Sequence, residues 1–527
     1  MSYIRTVTSR GHKYRQLCET VWDKERKRPR VVVLEHLGTV MEKDGREEVS
    51  AARPRVDAVL SSFPVGPLSL FYALAKQLKL GEHISDVLGT EERISSCVLY
   101  MVINQIVGRR PIYELPAWIN GSPLVEWEGT GPVDRGAISG ALGALCRLRS
   151  DGVIEDRGLA LQRELTHAWK NGGREPPQYY YDITRQLYYG GECGYAAPGY
   201  YPGGTHRHVI AFGLITSRVH HHPVMCRAIE GSKNDTVTVR DITNALGAWD
   251  MGGLTLILDR GMISEQNMRL VTEAGFNLVG IVPETNRAVW EYIARWPRQQ
   301  LEQPRFLVLH PSGDTAYARG WTAQLFGRRM RVAVIENPSV REEEKSARDT
   351  ALFELDRTAD AQRLRELRNE LKHVVSTARG RRGFAVDSGK LEEEAKRDGR
   401  YLMFSTDMSM DAEQMFSVCF QRDVVEKAFR TIKGAISLGP IRYRRRDRID
   451  AYTTVVYMAY LLWSMAERRV REKFPRTTLE KALKSLSDVY AVKFSSGKSH
   501  HAWTTRLTDG QEKLLRLFEA DELMHRY

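Results

Sequence analysis

The order of apolar runs between residues 176 and 283 restricts the possible folds more than any other feature of the sequence. Three strand-like runs, separated by turns, come first: YYYDITRQLYY (179–189), HVIAFGLITS (208–217) and PVMCRAIE (223–230). They predict an antiparallel meander. Two helix–strand pairs follow, and such alternation favours parallel pairing of their strands. We therefore expect a mixed α/β core with the order β-β-β-α-β-α-β, in which the Gly/Tyr/Pro-rich stretch GGECGYAAPGYYPGG is a turn.

The remainder of the chain divides around this core according to its sequence pattern. Residues 1–60 alternate polar and apolar residues and predict β-hairpins. Residues 61–175 have helical periodicity, which suits either a helix-turn-helix or a plain bundle. The core is expected in two parts, 176–283 and 411–470, the second beginning with one helix from Asp411. An inserted segment and a mixed C-terminal region complete the chain, at 284–410 and 471–527.

Within the insertion, the runs RFLVLHP and RMRVAVIEN predict strands, and residues 342–378 predict one long charged helix. An apolar seam with spacings of three, four and three residues follows this helix: Leu364, Leu367, Leu371 and Val374. Such a seam is typical of an amphipathic helix packed on its own domain. A coiled-coil contact in a dimer is the alternative.

Charge and composition indicate the kind of partner. The 527 residues include 78 Lys and Arg against 66 Asp and Glu, a formal net charge of +12. This excess favours a polyanion, either nucleic acid or an anionic membrane surface. No basic amphipathic helix stands out, and the longest apolar run, between Asp450 and Glu467, is too short for a bilayer and predicts a buried helix. The cysteines form no CxxC pair and the N-terminus lacks a signal-peptide core, so we expect a soluble intracellular protein without a zinc ribbon.

Three acidic residues stand where catalytic carboxylates are expected. Asp182 lies inside a Tyr-rich strand, where a carboxylate is unfavourable unless it is paired or used. Asp259 ends an apolar strand, at the edge where α/β sheets present ligand sites. Glu426 shares one face of a helix with three cations, Arg422, Arg430 and Lys433. A run of solvated i,i+4 ion pairs would also explain that helix face.

The helix that carries Glu426 has a second, apolar face that would anchor it to a core, formed by Val425, Phe429, Ile432 and Ile436. The basic run RYRRRDR follows at 442–448 and suits either phosphate binding or an exposed solvated loop. A histidine-rich stretch at 206–222 lacks the ligand spacing of a zinc site.

In this order, the three acidic segments resemble the DDE-type transposases of insertion sequences. In that branch the third acid lies in a Tyr-x2-Arg-x3-Glu-x6-Lys signature. This chain has Cys419-x2-Arg422-x3-Glu426-x6-Lys433, so a cysteine replaces the tyrosine and its hydroxyl.

The first two acids also have surroundings that resemble this family. YDIT around Asp182 is similar to the first-acid strand, and LILDRGMIS around Asp259 to the second-acid strand and its following helix. EGSKND at 230–235 resembles a turn found between them, and the long insertion before the Glu helix is a feature of the branch.

The resemblance implies a fold and a function. The fold would be a ribonuclease-H-like core with an inserted β/α subdomain between the last core strand and the Glu helix, plus an N-terminal β-hairpin and helical region. The function would be that of a transposase that binds terminal inverted repeats, hydrolyses DNA at the element ends and joins the freed 3′-hydroxyl to target DNA. Asp182, Asp259 and Glu426 would be catalytic and would hold two Mg²⁺ or Mn²⁺ ions, which prefer carboxylate oxygens. The expected DNA contacts are Arg422, Arg430, Lys433, Arg442, Arg444, Arg445 and Arg446.

We further expect the N-terminal 150 residues to recognise the DNA ends, and the chain to form a homodimer or larger assembly when the ends are paired. The expected location is the prokaryotic cytoplasm, in association with the nucleoid and not with a membrane. Two alternatives remain open: a non-catalytic DNA-binding regulator derived from a transposase, and a related nuclease without strand transfer.

Overall fold

The structure, a computed structural model, describes residues 2–9, 12–23, 28–43, 46–50, 56–170, 177–201, 205–284, 286–309, 313, 315–377, 384–420, 423–496 and 499–524. The chain separates into two units, one formed by Met1–Ser69 with Leu483–Tyr527 and the other by Leu70–Ala482. Among the described residues, no helix has the length and apolar character needed to cross a bilayer.

The alternating N-terminal residues form antiparallel strands, as predicted. Four of them pair in chain order: β1 (Ser2–Ser9), β2 (His12–Asp23), β3 (Arg28–Lys43) and β4 (Arg46–Ser50). The next strand, β5 (Ala58–Pro64), pairs with a strand near the C-terminus. This pairing explains why the first unit contains both ends of the chain.

The following region is helical, as its periodicity predicts. Its helices are α1 (Gly66–Gln77), α2 (Leu80–Leu88), α3 (Glu92–Ile103), α4 (Leu115–Gly121), α5 (Leu124–Glu128), α6 (Arg135–Leu145) and α7 (Arg157–Lys170). A π-helical turn, Asn104–Gly108, extends α3, and a small hairpin of β6 (Cys146–Leu148) and β7 (Ile154–Asp156) precedes α7. Helix α3 is buried along most of its length and packs against α2 and α6, so it is the centre of this region.

The predicted core forms one side of the largest sheet. Its elements are β8 (Gln178–Leu187), β9 (Ala197–Tyr201), β10 (Thr205–Ser217), β11 (Pro223–Glu230), α8 (Asp235–Ala248), β12 (Thr255–Leu258), α9 (Glu265–Glu273) and β13 (Asn277–Ile281). β10 pairs antiparallel with β8 and β11, and β12 pairs parallel with β13, which confirms the predicted pairing. β12 also pairs parallel with β8 and so connects the meander to the helix–strand pairs. The prediction of a simple turn in the Gly/Tyr/Pro-rich stretch is wrong, because β9 forms there and pairs with β10.

The insertion contributes its strands to the same sheet. Its elements are α10 (Arg287–Ala294), α11 (Arg298–Leu301), β14 (Leu307–Leu309), β15 (Thr315–Leu325), β16 (Arg328–Glu336), α12 (Pro338–Arg357), α13 (Ala361–Glu370), β17 (Val375–Thr377), β18 (Phe384–Val386), α14 (Ser388–Arg397) and β19 (Arg400–Ser405). Across the described sheet the strand order is β11-β10-β8-β12-β13-β19-β16-β15-β14, with β9 beside β10. β19 therefore joins the insertion directly to the core strand β13.

The prediction of one helix over residues 342–378 is wrong. The chain forms α12 and α13, because Thr358 is extended and Asp360 caps α13 by accepting hydrogen bonds from the N–H groups of Gln362 and Arg363. The apolar seam is buried within the chain: Leu367, Leu371 and Val374 pack with Leu355, and Leu364 lies against them. The structure thus agrees with the first interpretation of the seam, that of a helix packed on its own domain.

The remaining elements are α15 (Ala412–Phe420), α16 (Asp423–Lys433), α17 (Arg446–Lys473), α18 (Leu479–Leu486), β20 (Tyr490–Ser496), β21 (Ser499–Thr504), α19 (Asp509–Leu517) and α20 (Asp521–Met524). α17 contains the long apolar run and buries most of it, as predicted. The single helix predicted from Asp411 is described as two helices, α15 and α16, and residues 421 and 422 between them lie outside the described residues. β20 pairs with β5 and β21 and completes the first unit.

Candidate active site

Asp182 and Asp259 lie side by side in the middle of the large sheet. In the parallel pairing of β8 with β12, Tyr181 is the partner of Leu258; Asp182 is the next residue on β8, and Asp259 is the residue directly after β12. Neighbouring strands are about 4.8 Å apart, so the two partly buried side chains are close neighbours. Each carboxylate accepts a hydrogen bond from the next N–H, of Ile183 at 2.8 Å and of Arg260 at 2.6 Å. Two like charges this close together favour a bound cation.

The alternation of side chains along β8 determines what docks beside Asp182. Tyr180, Asp182 and Gln186 share one face of the strand. The buried hydroxyl of Tyr180 donates to the carbonyl of Val418 in α15 at 2.7 Å. Gln186 lies against Gly439, where a Cβ would stand 2.4 Å from Gln186 Nε2, so the two residues are in close contact. Both α15 and the segment after α16 therefore pack on the face that carries Asp182.

Glu426 lies on the exposed surface of α16, a helix that packs against β8 and β10. The predicted anchoring face of this helix is buried and consists of Val425, Phe429, Ile432 and Ile436. Among the described residues, no three Asp, Glu, His or Cys side chains are grouped closely enough to hold a metal ion. The structure therefore brings Asp182 and Asp259 together, and it places Glu426 on a helix against the same strand without grouping its carboxylate with theirs.

Two of the predicted cations are exposed on the helix that carries Glu426. In the described part of the chain, neither Arg430 nor Lys433 forms an ion pair with Glu426, although all three lie on α16. Partial desolvation of its ammonium group lowers the pKa of Lys433, so this side chain loses its proton more easily than an ordinary lysine. Arg422 lies outside the described residues, and its predicted role stays a prediction.

The four arginines of the RYRRRDR run that are predicted to contact DNA, Arg442, Arg444, Arg445 and Arg446, are exposed and differ in their contacts. Arg445 donates two hydrogen bonds to Asp447, at 3.0 and 2.6 Å. Arg446 donates to the carbonyl of Gly194 at 2.9 Å and stacks on the ring of Tyr195 at 4.8 Å. Arg442 and Arg444 hydrogen-bond no other described residue. Of these four predicted DNA contacts, two already have protein partners that hold the start of α17.

Tyr195 connects this basic run to a carboxylate with an unusual pKa. Its hydroxyl donates to both oxygens of Asp450, at 2.9 and 3.0 Å. Burial raises the pKa of Asp450 to about 7; the hydrogen bond from Tyr195 and the charges of Arg227 and Arg446 oppose this rise, whereas the charge of Asp156 adds to it. The carboxyl group is therefore partly protonated at neutral pH.

This shift predicts a pH-dependent stability. Because the folded pKa of Asp450 exceeds that of an unfolded aspartate, its stabilising contribution is complete below about pH 4 and is lost as the pH rises to about 7. We expect Asp450→Asn to have wild-type stability near pH 4 and to be more stable by about 1–3 kcal/mol at pH 8, since the amide is neutral and its oxygen still accepts from Tyr195. Urea unfolding at both pH values measures the difference. Equal stability at pH 8 would contradict the raised pKa.

The structure also shows charged residues at the site that sequence reasoning did not select. Arg260, directly after Asp259, pairs with Glu284 at 2.5 Å. Arg185, on the strand of Asp182, pairs with Asp235 at 2.6 Å. Both positions could have been selected from the sequence. Arg260 directly follows the acid at the end of a strand, and Asp235 is the last residue of the EGSKND turn and the first of α8. The histidine-rich stretch has a packing role at His222, which is buried, bonds Ser464 Oγ at 3.0 Å and has its pKa lowered to about 3 by burial.

Comparison with known proteins gives one extensive match. The sequence profile of the family described as "Transposase DDE domain" matches residues 182–462, more than half of the chain. The match begins at Asp182 and includes Asp259 and Glu426. Among solved structures, the cryo-EM structure of the piggyBac transposase synaptic complex with hairpin DNA is similar, with a TM-score of 0.38 and 9% identity over 87% of this chain and 81% of that chain. A TM-score of this size does not establish a common fold. No curated protein matches the chain in sequence.

Proposed function

Because the chain belongs to the family of transposase DDE domains, we propose that it is the transposase of an insertion sequence. It would bind the terminal inverted repeats of its element, hydrolyse phosphodiester bonds at the ends and join the freed 3′-hydroxyl to target DNA. The observation that carries this proposal is the adjacency of Asp182 and Asp259 on neighbouring parallel strands, inside the region that matches the family. The order of strands β11-β10-β8-β12-β13 supports a ribonuclease-H-like core around them.

The donor chemistry of the site fits the divalent ions that this family generally uses. Two adjacent carboxylates supply hard oxygen atoms, which suit Mg²⁺ or Mn²⁺. Asp182 and Asp259 would hold two such ions, with Glu426 from α16 as the third ligand. When bound, the ions polarise the scissile phosphate and increase the nucleophilicity of the attacking oxygen.

The basic residues near the site would hold the DNA backbone. Arg430 and Lys433 lie beside Glu426 on α16 and would contact phosphates near the scissile bond, together with Arg422. Arg442 and Arg444 would extend this contact, because their guanidinium groups are exposed and suit phosphate oxygens. Arg445 and Arg446 would do so while also holding the start of α17. We further propose that the helical region 61–175 recognises the repeat sequence and that two or more chains pair the ends in the prokaryotic cytoplasm.

The test is cleavage of a labelled duplex that carries the inverted repeat flanking the gene, with Mg²⁺ or Mn²⁺. We expect metal-dependent nicking at the repeat boundary by the wild type and a loss of about 10²–10³-fold in Glu426→Gln, because the amide cannot supply the negative charge of a ligand. Glu413→Gln, an equivalent change on the exposed surface of α15, is the matched control and should cleave normally. Specific binding without cleavage by any of the three proteins would instead support a DNA-binding regulator.

The same preparation separates a transposase from a nuclease without strand transfer. Pre-cleaved ends with a free 3′-hydroxyl are incubated with a supercoiled plasmid and the metal ion. Covalent joining of the labelled end to the plasmid supports the transposase, whereas cleavage without joining under these conditions supports the nuclease.

A further inference from the structure

A basic cleft lies between the end of α3 and the segment that follows α16. It encloses about 140 Å³, and its lining includes Arg109 and Arg110 from one wall and Arg442 and Tyr443 from the other. In the described part of the chain, three arginines and no carboxylate line this cleft; Arg110 is paired with Glu114 at 3.6 Å, which leaves Arg109 and Arg442 as its uncompensated cations. A site with that charge is complementary to an anion, and guanidinium groups suit phosphate oxygens in particular.

The first wall is held in an unusual backbone conformation that directs it into the cleft. The N–H of Arg109 donates to the carbonyl of Asn104 at 2.6 Å and closes the π-helical turn, a form of helix that occurs often at functional sites. Arg109 itself has φ of 50°, which is costly for a residue with a side chain. The Asn104 side chain fixes the next residue, because it exchanges two 3.0 Å hydrogen bonds with the backbone of Arg110.

The second wall is joined to the first by one side chain. Gln105 donates to the carbonyls of Ile436 and Ser437, at 2.6 and 3.1 Å, and to the hydroxyl of Tyr452 at 3.0 Å. Tyr452 in turn stacks near Tyr443, with ring centroids 5.4 Å apart. The backbone on both sides of the cleft is thus fixed before any ligand binds, whereas the guanidinium groups of Arg109 and Arg442 are exposed.

The position of the cleft relative to Asp182 follows from the strand between them. Gly439 of the second wall lies against Gln186, and Gln186 is four residues beyond Asp182 on the same face of β8. Four residues of a strand span roughly 13 Å. At about 3.4 Å per base pair, this corresponds to roughly four base pairs of DNA.

We propose that this cleft binds the phosphodiester backbone of the DNA end, with Arg109 and Arg442 on phosphates roughly four base pairs from the scissile bond. The inference rests on the proposed function and extends it to Arg109, a residue of the helical region that no sequence motif indicates. The helical region and the catalytic sheet would then bind the same stretch of the DNA backbone. The fold would therefore determine the distance between these phosphate contacts and the scissile bond.

The test is the salt dependence of DNA affinity, measured by fluorescence anisotropy on a duplex carrying the flanking inverted repeat. Each neutralised phosphate contributes about 0.9 to the slope of log K against log salt. The double variant Arg109→Asn, Arg442→Gln should therefore lower the slope by about 2 and weaken binding at low salt. Asn is chosen at 109 because it tolerates a positive φ. Arg365→Gln, which removes an exposed charge on α13, is the matched control and should keep the wild-type slope.

A second measurement uses the wild-type protein alone and does not depend on the variant folding. Uncharged methylphosphonate linkages are placed singly along the repeat, and those three to five base pairs from the cleavage position should weaken binding more than linkages elsewhere. The double variant should lose this local sensitivity. Suppose that the double variant keeps the wild-type salt slope, that all methylphosphonate positions weaken binding equally, and that the wild type cleaves the repeat. This result would contradict DNA binding in the cleft and would leave the proposed function intact. Failure of the wild type to bind or cleave any repeat DNA would overturn both.

Discussion

Asp182→Asn is expected to lower metal-dependent DNA cleavage by about 10³-fold while the protein stays folded and still binds DNA. The amide has the shape of the carboxyl group, and its oxygen can accept the 2.8 Å hydrogen bond from the N–H of Ile183. What is lost is the negative charge beside Asp259, which is the property that attracts a divalent cation. Cleavage rates under single-turnover conditions, with DNA affinity and thermal unfolding measured in parallel, separate these effects.

Two further variants make the result specific to metal binding. Asp241→Asn is the matched control, because Asp241 is an exposed carboxylate on α8 that pairs with Lys233 at 3.1 Å, and this variant should cleave normally. Asp182→Cys should regain part of its activity with Mn²⁺ but not with Mg²⁺, since a thiolate is a poor ligand for the harder ion. Wild-type cleavage by Asp182→Asn with Mg²⁺ would show that Asp182 is not a metal ligand.

The strands that position the two aspartates could be predicted from their apolar patterns, but the position of Glu426 could not. The helix–strand alternation predicts the parallel pairing of β12 with β13. The parallel pairing of β12 with β8, which makes Asp182 and Asp259 neighbours, was implied by the family resemblance and not by the alternation. The docking of α16 depends instead on its packing against β8 and β10, strands more than 200 residues away in the sequence, which no local pattern indicates. The third acid was selected by its spacing from Arg422 and Lys433, and spacing alone does not determine how near its carboxylate comes to the others.

The errors in the insertion have similar physical causes. The sequence pattern does not predict β15, because its buried residues include the small Ala316 and Ala318, which produce no apolar run. Its long pairing with β16 defines it as a strand. The break between α12 and α13 was missed because the charged periodicity continues through it. The signal was the capping residue Asp360, whose side chain begins α13.

The second large effect concerns stability and arises at Glu336, the last residue of β16. Its carboxylate is fully buried and is surrounded by three arginines: Arg341 at 3.0 Å, Arg400 at 3.1 Å and Arg298 at 3.2 Å. Burial raises the pKa of Glu336, and the three guanidinium groups oppose that rise. These partners come from α11, α12 and β19, so one charge joins much of the insertion to the sheet.

Glu336→Gln is expected to destabilise the protein by about 3–5 kcal/mol, because it leaves several cations in a site of low polarity without their counter-ion. The loss of stability arises chiefly from the buried guanidinium groups that remain without a counter-ion, and less from the lost attraction of the original ion pairs. The double variant Glu336→Gln, Arg400→Met should therefore recover part of the lost stability, since it removes the most buried of the three cations. Urea unfolding followed by circular dichroism measures both changes.

An exposed pair of the same chemistry supplies the control for this prediction. Glu366 lies 3.5 Å from Arg363 on α13, and both side chains are at least 40% exposed. Water solvates either charge when the other is removed, so Glu366→Gln should change stability by less than about 0.5 kcal/mol. Glu336 lies on β16, which β12, β13 and β19 separate from β8 and Asp182, so its variant should bind repeat DNA with wild-type affinity at temperatures where it is folded. A loss of less than about 1 kcal/mol in Glu336→Gln would mean that water or a rearranged side chain satisfies the three arginines and that this buried charge does not hold the insertion to the sheet.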